Sequence, residues 1–395
     1  MRRRRRWLRR SSLALAVVVL GAAGAGWAAY EKLNSNITAD NDAASELARY
    51  DKERPTALVH GAQNILLIGS DTRSGNGNDQ YGRDSGTERS DTTILLHLAA
   101  DRRSATAVSL PRDLMVDVPS CRRPDGSRTQ PVFTLFNYAF ATGGSACTIR
   151  TVERLTDIRV DHHMVLDFNG FKEMIDALDG VEVCLRRPID DKAARLKLPA
   201  GKVTLNGEQA LGYVRARKSL GDGSDTERME RQQRFLGALV SKVRSDDVLL
   251  NPVKLYPVLD AATSSLTTDP GLASLRGLYE LARGLRNLRT ERVQFLTAPR
   301  TSYPYNANRD QLVEPAAEKL FTRLRMDQPV EVTKEVPDNS PAKTSNTAPG
   351  HGDGGESHDD GKSAGQWAVE PGMPRQASEP PPTFRGNTAA QDACG

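Results

Sequence analysis

Aspartate and arginine side chains flank three predicted strands at neighbouring strand ends. Asp71 and Arg73 follow the first strand, Arg89 and Asp91 introduce the second, and Arg112 follows the third. Ligands bind at strand ends and in the loops beyond them in open α/β sheets. We therefore expect these side chains to meet at one edge of a sheet, where they form the first part of a candidate site.

The second part of the candidate site comes from a segment and a helix later in the chain. Arg215 and Arg217 precede a predicted helix that carries Arg228 and Gln232. The latter two are four residues apart and therefore share one helix face. Crowded arginines repel, since two unit charges ~5 Å apart cost about 3 kcal/mol at an effective dielectric of about 20. Such a cluster needs an anion or carboxylates among its members.

This combination of charges fits phosphate chemistry. The guanidinium fork of arginine matches phosphate oxygens, and Mg²⁺ is commonly held by one or two carboxylates together with substrate phosphates. The set therefore predicts a pyrophosphate site with a divalent metal. The alternative is a group of solvated Arg–Asp ion pairs, a frequent role for such charges at a surface. The charges alone leave both interpretations open.

The elements that must position these residues alternate between strands and helices. Continuous apolar runs at 64–69, 92–99 and 105–110 are typical of buried strands, and the short turn at 101–104 favours a hairpin between the last two. Apolar residues recur at helical spacing along 226–244. The pattern predicts an α/β domain in which a mixed central sheet is wrapped by helices on both faces.

The N-terminus has the composition of a membrane anchor. Seven arginines lie within the first ten residues, and Ser11–Tyr30 then contains no charge. A helix of about 20 apolar residues crosses the hydrocarbon core, and flanking arginines stay on the cytoplasmic side. We therefore expect a single-pass protein of the cell membrane with a cytoplasmic N-terminus. A cleaved signal peptide is the alternative, although its apolar core is usually about 7–15 residues.

Composition divides the chain into five parts. Subtracting the seven N-terminal arginines from the formal net charge of +4 leaves −3, so we expect no nucleic-acid partner. From about residue 330 apolar residues nearly vanish, which is typical of disorder. The predicted parts are a basic cytoplasmic segment (1–10), a transmembrane helix (11–30), an extracytoplasmic stalk (31–60), a folded catalytic domain (61–328) and a disordered C-terminal tail (329–395).

Four cysteines are consistent with an oxidising compartment. Cys121 and Cys147 flank a segment that contains Pro124 and Gly126. We expect a disulfide between these two cysteines, worth about 3 kcal/mol in the loop-entropy picture. Cys184 lies in a strand-like run and is interpreted as a buried apolar residue.

The order of several motifs resembles the LytR-CpsA-Psr family of cell-wall glycopolymer ligases, in its actinobacterial form. The resemblance runs from about Asn64 to Ala238 and more weakly to about Leu324. The motifs that carry it are 64–73 (NILLIGSDTR), 89–92 (RSDT), 109–113 (SLPRD), 167–171 (DFNGF), 176–181 (DALDGV), 205–211 (LNGEQAL), 213–217 (YVRAR) and 231–233 (RQQ).

The resemblance implies a role for each residue of the candidate site. A polyprenyl chain would lie in an apolar pocket between the sheet and the helices. Asp71 and Asp91 would hold Mg²⁺ (or Mn²⁺), and these two aspartates and Arg112 would be catalytic. The residues implied to bind the substrate pyrophosphate are Arg73, Arg89, Arg112, Arg215, Arg217, Arg228 and Gln232.

The implied function is metal-dependent phosphotransfer in cell-wall assembly. A glycopolymer would pass from a polyprenyl-pyrophosphate carrier onto peptidoglycan, and the membrane would present the carrier. Asp71, Asp91 and Asp113 are all candidates for the general base. Two alternatives stay open: a pyrophosphatase that acts on the same carrier, and a non-enzymatic wall-binding or regulatory membrane protein. The sequence leaves the transferred polymer unspecified.

Overall fold

The apolar runs predicted to be strands form the middle of a nine-stranded sheet. The computed structural model describes residues 2–70, 90–192, 194–216, 225–243, 252–285, 288–333 and 383–390. Its strands are β1 (Thr38–Ala39), β2 (Gln63–Ser70), β3 (Ser90–Leu98), β4 (Ala105–Leu110), β5 (Met115–Val118), β6 (Val132–Leu135), β7 (His162–Asp167), β8 (Val181–Leu185), β9 (Ile189–Asp191), β10 (Leu196–Leu198), β11 (Gly201–Leu205), β12 (Leu266–Thr268), β13 (Val293–Thr297), β14 (Arg300–Tyr303), β15 (Asn306–Leu312), β16 (Glu331–Thr333) and β17 (Thr383–Thr388).

Helices lie between these strands and on both sides of the sheet. Within the described residues they are α1 (Arg2–Asn36), α2 (Asn41–Arg49), α3 (Asn137–Thr156), α4 (Phe168–Ala177), α5 (Gly207–Arg215), α6 (Asp225–Val243), α7 (Pro252–Ser265), α8 (Leu275–Leu285) and α9 (Ala316–Arg325). β12 and the turn that follows it separate α7 from α8.

The central sheet is mixed, as predicted. Its order is β1-β12-β7-β2-β3-β4-β13-β17-β16. β3 runs antiparallel to both β2 and β4, whereas β2 is parallel to β7 and β4 is parallel to β13. The predicted hairpin between β3 and β4 is confirmed, and Arg102 in its turn adopts a φ of 57°.

Alternating side chains separate the two faces of the sheet. Leu66, Leu95 and Val108 point to one face, which α2, α3 and α9 cover. Ile65 and Ala107 point to the other face, which is covered by α6 and α8. The fold class predicted from the sequence, α/β with helices on both faces, is therefore confirmed.

A third apolar cluster forms a lobe beside the sheet. It is built by α4, α5, α6 and the small hairpins β8–β11 and β9–β10, and its buried members include Ile175, Leu205, Tyr213 and Phe235. Phe235 of α6 contacts Tyr213 of α5, with ring centroids 6.5 Å apart. Because α6 packs on both the sheet and this lobe, its first turns are held firmly above the strand ends.

The first helix continues directly into the folded domain. Its segment Leu13–Asn36 is long and apolar enough to cross a membrane, and this helix fits a single-pass membrane anchor. Near its end, Lys32 Nζ lies 2.9 Å from Asp260 Oδ2 of α7, and Asn36 Nδ2 donates to Asp260 Oδ1 at 2.8 Å. These contacts join the anchor helix to the domain without a free linker.

The predicted stalk 31–60 is wrong for its central part. β1 pairs with β12 at the sheet edge, and α2 buries Ala43 and Leu47 against α3. The apolar face of α2 is only one stripe within a polar stretch, so composition alone classified the stretch as solvated. The folded domain therefore begins before residue 61.

Part of the predicted disordered tail also belongs to the sheet. β17 pairs antiparallel with β13 and parallel with β16, and Phe384 is buried in the core. The prediction of disorder across 329–395 is therefore wrong for 331–333 and 383–388. The strand has little apolar content of its own and obtains its hydrogen bonds from the edge of the sheet. Residues 334–382 and 391–395 lie outside the described residues.

The predicted disulfide between Cys121 and Cys147 is present, with a Cα–Cα distance of 5.5 Å. It ties the segment after β5 to α3. Gly143 allows this close approach, because a Cβ at that position would lie 2.9 Å from Cys147 Cβ. Cys184 is also disulfide-bonded, so its interpretation as a simple buried thiol is wrong.

Replacing Cys121 and Cys147 together with alanine is expected to lower the free energy of unfolding by about 3 kcal/mol. The disulfide links two residues that are 26 apart in the sequence. Without it, the unfolded chain regains the conformational freedom of that loop. Denaturant titration of the detergent-solubilised chain measures the change. The double variant is preferred to a reducing agent, which also acts on Cys184. An unchanged midpoint would contradict the stabilising role.

Candidate active site

Three strands bring the predicted site segments to the same end of the sheet. β2 ends at Ser70 where β3 begins, and β4 ends beside the start of β3, with Thr93 paired to Leu110. The register shifts between Gly69 and Ser70, which leaves Asp91 as the extra residue of a bulge. Bulges are common beside active sites. The ends of β2 and β4 therefore lie on either side of the start of β3.

Several predicted site residues lie outside the described residues. These are Asp71, Arg73, Arg89 and Arg217, together with the side chain of Asp91. The side chains that the structure describes are those of Arg112, Arg215, Arg228 and Gln232.

Arg112 lies in a turn that is fixed from two sides. Its Nε donates to Asp113 Oδ2 at 3.3 Å, and about a quarter of its side chain is exposed. The backbone carbonyl of Arg112 accepts from Asn137 N of α3, and that of Asp113 accepts from Asp310 N of β15, each at 3.1 Å. The guanidinium therefore stands on a rigid base at the end of β4.

Arg215 is placed at the same edge from the side of β7. It is the last residue of α5, and its guanidinium stacks over the Phe168 ring at 4.5 Å from the centroid. Phe168 follows Asp167, which pairs with Ser70 at the end of β2. The cation–π contact orients the guanidinium.

Arg228 is a third arginine of the predicted site. It lies one helical turn before Gln232 on α6, and only 4% of its surface is exposed. A buried charge is costly in free energy and its position is tightly defined. Arg231, which is also buried, donates through Nη2 to the Ala216 carbonyl oxygen at the end of α5. This bond fixes α6 against α5.

Gln232 joins three elements instead of offering its amide to a ligand. Its Nε2 donates to Thr92 Oγ1 of β3 and to the Val214 carbonyl oxygen, both at 3.2 Å. An amide nitrogen carries two N–H donors, and both are used here. The predicted contact with pyrophosphate would require one of these bonds to open, so the structure gives Gln232 a positioning role.

Sequence reasoning assigned no role to two further residues of this edge. Gln233 Nε2 donates to Thr297 Oγ1 at 3.1 Å and so attaches α6 to β13. Thr92 accepts from Gln232. Both residues lie in the recognised motifs 89–92 and 231–233, and that position was the one available signal. Burial raises the pKa of the nearby Tyr213 hydroxyl, so this group stays neutral.

The predicted metal ligands can be tested only by position. The part of the chain that the structure describes has no group of three or more His, Cys, Asp or Glu side chains arranged around a metal. Asp91 lies at the bulge beside Ser70, the residue before Asp71. The backbone of Asp91 therefore lies beside the residue that precedes Asp71.

The opposite end of the sheet holds a different polar group. A cavity of about 450 Å³ is lined there by Arg54, His162, His163 and Asp269, among others. His162 Nδ1 lies 3.0 Å from Asp269 Oδ2, and this hydrogen bond raises the pKa of His162 above its usual value of 6.5. His163 Nε2 instead contacts Asp40 Oδ2 at 3.1 Å. The adjacent histidines thus have different partners, as expected on a strand.

Replacing His162 with glutamine is expected to destabilise the domain more near pH 5.5 than near pH 8.5. Because the folded pKa is raised, the imidazolium contributes stability that is fully present below the unfolded pKa of about 6.5. This contribution is lost as the pH rises through the folded pKa. Denaturant midpoints of wild type and variant at both pH values measure it. The exposed His60→Gln is the control, and equal destabilisation at both pH values would contradict the pairing.

Comparison with known proteins gives this geometry a context. The sequence model of the LytR_cpsA_psr family matches residues 33–326. The chain belongs to this family. The match includes β1 and α2, in agreement with a folded domain that begins before residue 61.

Relatives in the LytR_cpsA_psr family are named for cell-wall assembly. The probable cell wall biosynthesis protein LcpB of Corynebacterium glutamicum is 36% identical over 236 residues, which are 58% of this chain and 54% of LcpB. The polyisoprenyl-teichoic acid–peptidoglycan teichoic acid transferase TagT of Bacillus subtilis is 29% identical over 85% of this chain and 95% of TagT. The chain spans about half the length of LcpB and of LcpA from the same organism.

Solved structures of the family share the fold. A LytR-Csp2A-Psr enzyme from Actinomyces oris superposes with a TM-score of 0.53 at 21% identity, covering 69% of this chain and 93% of that one. TagT bound to LI-WTA gives a TM-score of 0.51 at 24% identity, covering 70% of this chain and 96% of that one.

Proposed function

We propose that this chain is a phosphotransferase that moves a glycopolymer from a polyprenyl-pyrophosphate carrier onto peptidoglycan. The observation that supports the proposal is the backbone position of three motif arginines: Arg112 follows β4, Arg215 ends α5, and Arg228 lies near the start of α6, which contacts the start of β3 through Gln232. The names of relatives such as TagT support the same reaction class.

The arginines would act mainly by stabilising the negative charge of the phosphates. Phosphoryl transfer depends on positioning and on stabilising the charge that develops on the leaving group. Arg228, held in a buried position, and Arg215, stacked on Phe168, would bind the pyrophosphate and stabilise the departing prenyl phosphate. Fixed charges that are shielded from water act more strongly than solvated ones. Arg112 would hold the sugar-linked phosphate from the other side.

The proposed reaction exchanges a phosphoanhydride bond of the carrier for a phosphoester bond to peptidoglycan. A sugar hydroxyl oxygen of peptidoglycan forms a bond to the sugar-linked phosphorus, and the bond from that phosphorus to the prenyl phosphate breaks. The hydroxyl proton passes to a carboxylate, for which Asp71, Asp91 and Asp113 are the candidates. A Mg²⁺ or Mn²⁺ ion held by Asp71 and Asp91 would supply further neutralisation of phosphate charge.

The helix Leu13–Asn36 would hold this site at the membrane surface outside the cytoplasm. A polyprenyl carrier stays in the bilayer because each methylene exposed to water costs about 0.8 kcal/mol. The contacts of Lys32 and Asn36 with Asp260 would keep the domain close to the lipid head groups. Arginines at the start of the chain favour a cytoplasmic N-terminus.

Incubation of the full chain in lipid vesicles with a labelled carrier tests the proposal. With peptidoglycan present, we expect label in a wall-linked product, and without it little turnover. Equal release of label with and without peptidoglycan would instead identify a pyrophosphatase. Binding to peptidoglycan with no turnover under any divalent metal would identify a non-enzymatic wall-binding protein.

Removal of divalent metal is expected to abolish transfer. A chelator would leave the phosphate charge and the carboxylates of Asp71 and Asp91 to repel each other. Added Mg²⁺ or Mn²⁺ should restore turnover, whereas Na⁺ at the same ionic strength should not. Full activity of the chelator-treated, dialysed protein would contradict the metal requirement.

A further inference from the structure

Two hairpins expose a group of aromatic rings next to the candidate active site. Phe133 of β6 and Tyr303 of β14 have ring centroids 6.2 Å apart, and Tyr305 lies 5.5 Å from Tyr303. Phe133 is 50% exposed and Tyr305 is 88% exposed. We call these three residues the aromatic patch. Clustered apolar groups that face water commonly mark an interaction surface.

The patch stands on a rigid base. The β5–β6 hairpin leads into the segment closed by the disulfide at Cys121. The β14–β15 hairpin is held by an ion pair between Arg300 and the buried Asp310. Asp310 also forms a β-bridge with Leu114, which binds the second hairpin to the first. Rings fixed in this way lose little conformational entropy when a ligand binds.

The same base positions Arg112. Asp310 N donates to the Asp113 carbonyl oxygen, and Asn137 N donates to that of Arg112. Phe133 lies four residues before Asn137, a backbone distance of at most about 14 Å at ~3.4 Å per residue. Backbone hydrogen bonds therefore tie both hairpins of the patch to the turn that carries Arg112.

The patch lies on the side from which an acceptor would approach. The buried sides of both hairpins pack into the cluster of the first sheet face, whereas α6 with Arg228 packs on the second face and on the lobe. In-line phosphoryl transfer places the attacking oxygen opposite the leaving oxygen. If Arg215 and Arg228 hold the leaving prenyl phosphate, the attacking hydroxyl enters from the hairpin side.

The chemistry of the patch matches a sugar chain. A pyranose ring offers a face of C–H groups that stacks on aromatic rings, and hydroxyls around its rim that need hydrogen-bond partners. The polar residues Thr301, Ser302, Asn306 and Asn308 are exposed on the same hairpin as Tyr303 and Tyr305. Tyrosine itself combines an apolar ring with a polar hydroxyl.

We propose that the aromatic patch docks the glycan strand of the peptidoglycan acceptor and guides its hydroxyl towards the phosphate held by Arg112. This inference rests on the proposed function and deepens it by assigning the acceptor a surface. The role is one of binding, so loss of the patch should weaken acceptor binding and leave donor binding unchanged.

Sedimentation of the full chain with purified peptidoglycan sacculi tests the docking without any turnover. In an Arg112→Ala background, Tyr303→Ala with Tyr305→Ala is expected to weaken binding about tenfold or more. Tyr305→Phe should bind nearly as well as the parent, since it keeps the ring. Tyr279→Ala, which removes a 63% exposed tyrosine on α8, is the matched control. Unchanged binding by the double variant would overturn the proposal.

Transfer kinetics separate this inference from the proposed function. In the chain that retains Arg112, the double variant should raise KM for soluble glycan acceptors about tenfold and leave KM for the carrier unchanged. A rise in KM for the carrier alone would assign the patch to the donor polymer and overturn the proposal. If sacculi bind through the patch but no transfer occurs with any metal, the docking stands and the proposed function fails.

Discussion

Replacing Arg112 with alanine is expected to slow transfer by roughly a hundredfold or more while the domain stays folded. The guanidinium stands at the end of β4 and is partly exposed, so its removal leaves no buried cavity. Its turn is held through backbone bonds to Asn137 and Asp310, which the substitution does not change. The expected loss of activity therefore comes from removing the positive charge that Arg112 presents to the phosphate.

A lysine at the same position provides a finer test. Arg112→Lys keeps the charge but loses the bidentate fork, so activity between that of wild type and alanine is expected. The exposed Arg123, in the loop after Cys121, offers a matched control, and Arg123→Ala should transfer normally. Turnover of labelled carrier and the denaturant midpoint should be measured on the same preparations. Normal turnover by Arg112→Ala would remove Arg112 from the site.

Replacing Glu153 with alanine is expected to cost about 3–5 kcal/mol of stability. Glu153 on α3 is nearly inaccessible to water, and its Oε1 lies 2.7 Å from Arg54 Nη2. Arg54 also donates to the Val160 carbonyl oxygen, and Val160 N donates back to Glu153. Removal of the carboxylate leaves a buried guanidinium uncompensated and frees the segment before β2.

The expected loss of stability comes from leaving the charge of Arg54 unpaired. Replacing both Arg54 and Glu153 is therefore the informative comparison. Arg54→Met with Glu153→Leu is expected to recover much of the stability, because apolar residues often replace buried ion pairs at little cost. Lys202→Ala, which breaks an exposed pair with Glu182, should cost less than about 1 kcal/mol. Denaturant titration gives all three values. A loss for Glu153→Ala no larger than that for Lys202→Ala would show that the buried pair contributes little.

The parts of the fold that could be predicted are those with a strong local signal. β2, β3 and β4 are continuous apolar runs, and α6 has a clear apolar face. β1, β12 and β17 were missed because each is short and takes its stability from a neighbouring strand. Strands of two to six residues carry too few side chains to define a pattern.

The candidate site likewise has residues that the sequence identifies and a role that only the packed structure reveals. Motif order identified Arg112, Arg215 and Arg228, which lie after β4, at the end of α5 and near the start of α6. The role of Gln232 could not be predicted, because its bonds to Thr92 and Val214 exist only once β3, α5 and α6 have packed. Spacing on a helix shows which residues share a face but not which donors remain for a ligand.

The proposed reaction transfers the sugar-linked phosphate to peptidoglycan. A carrier with radioactive phosphorus at the sugar-linked position follows this phosphate, and muramidase digestion of the product shows where it ends. We expect the label in a phosphodiester between polymer and muropeptide, and we expect release of unlabelled prenyl phosphate. Label that remains on the prenyl fragment, or appears on free polymer regardless of peptidoglycan, would contradict it.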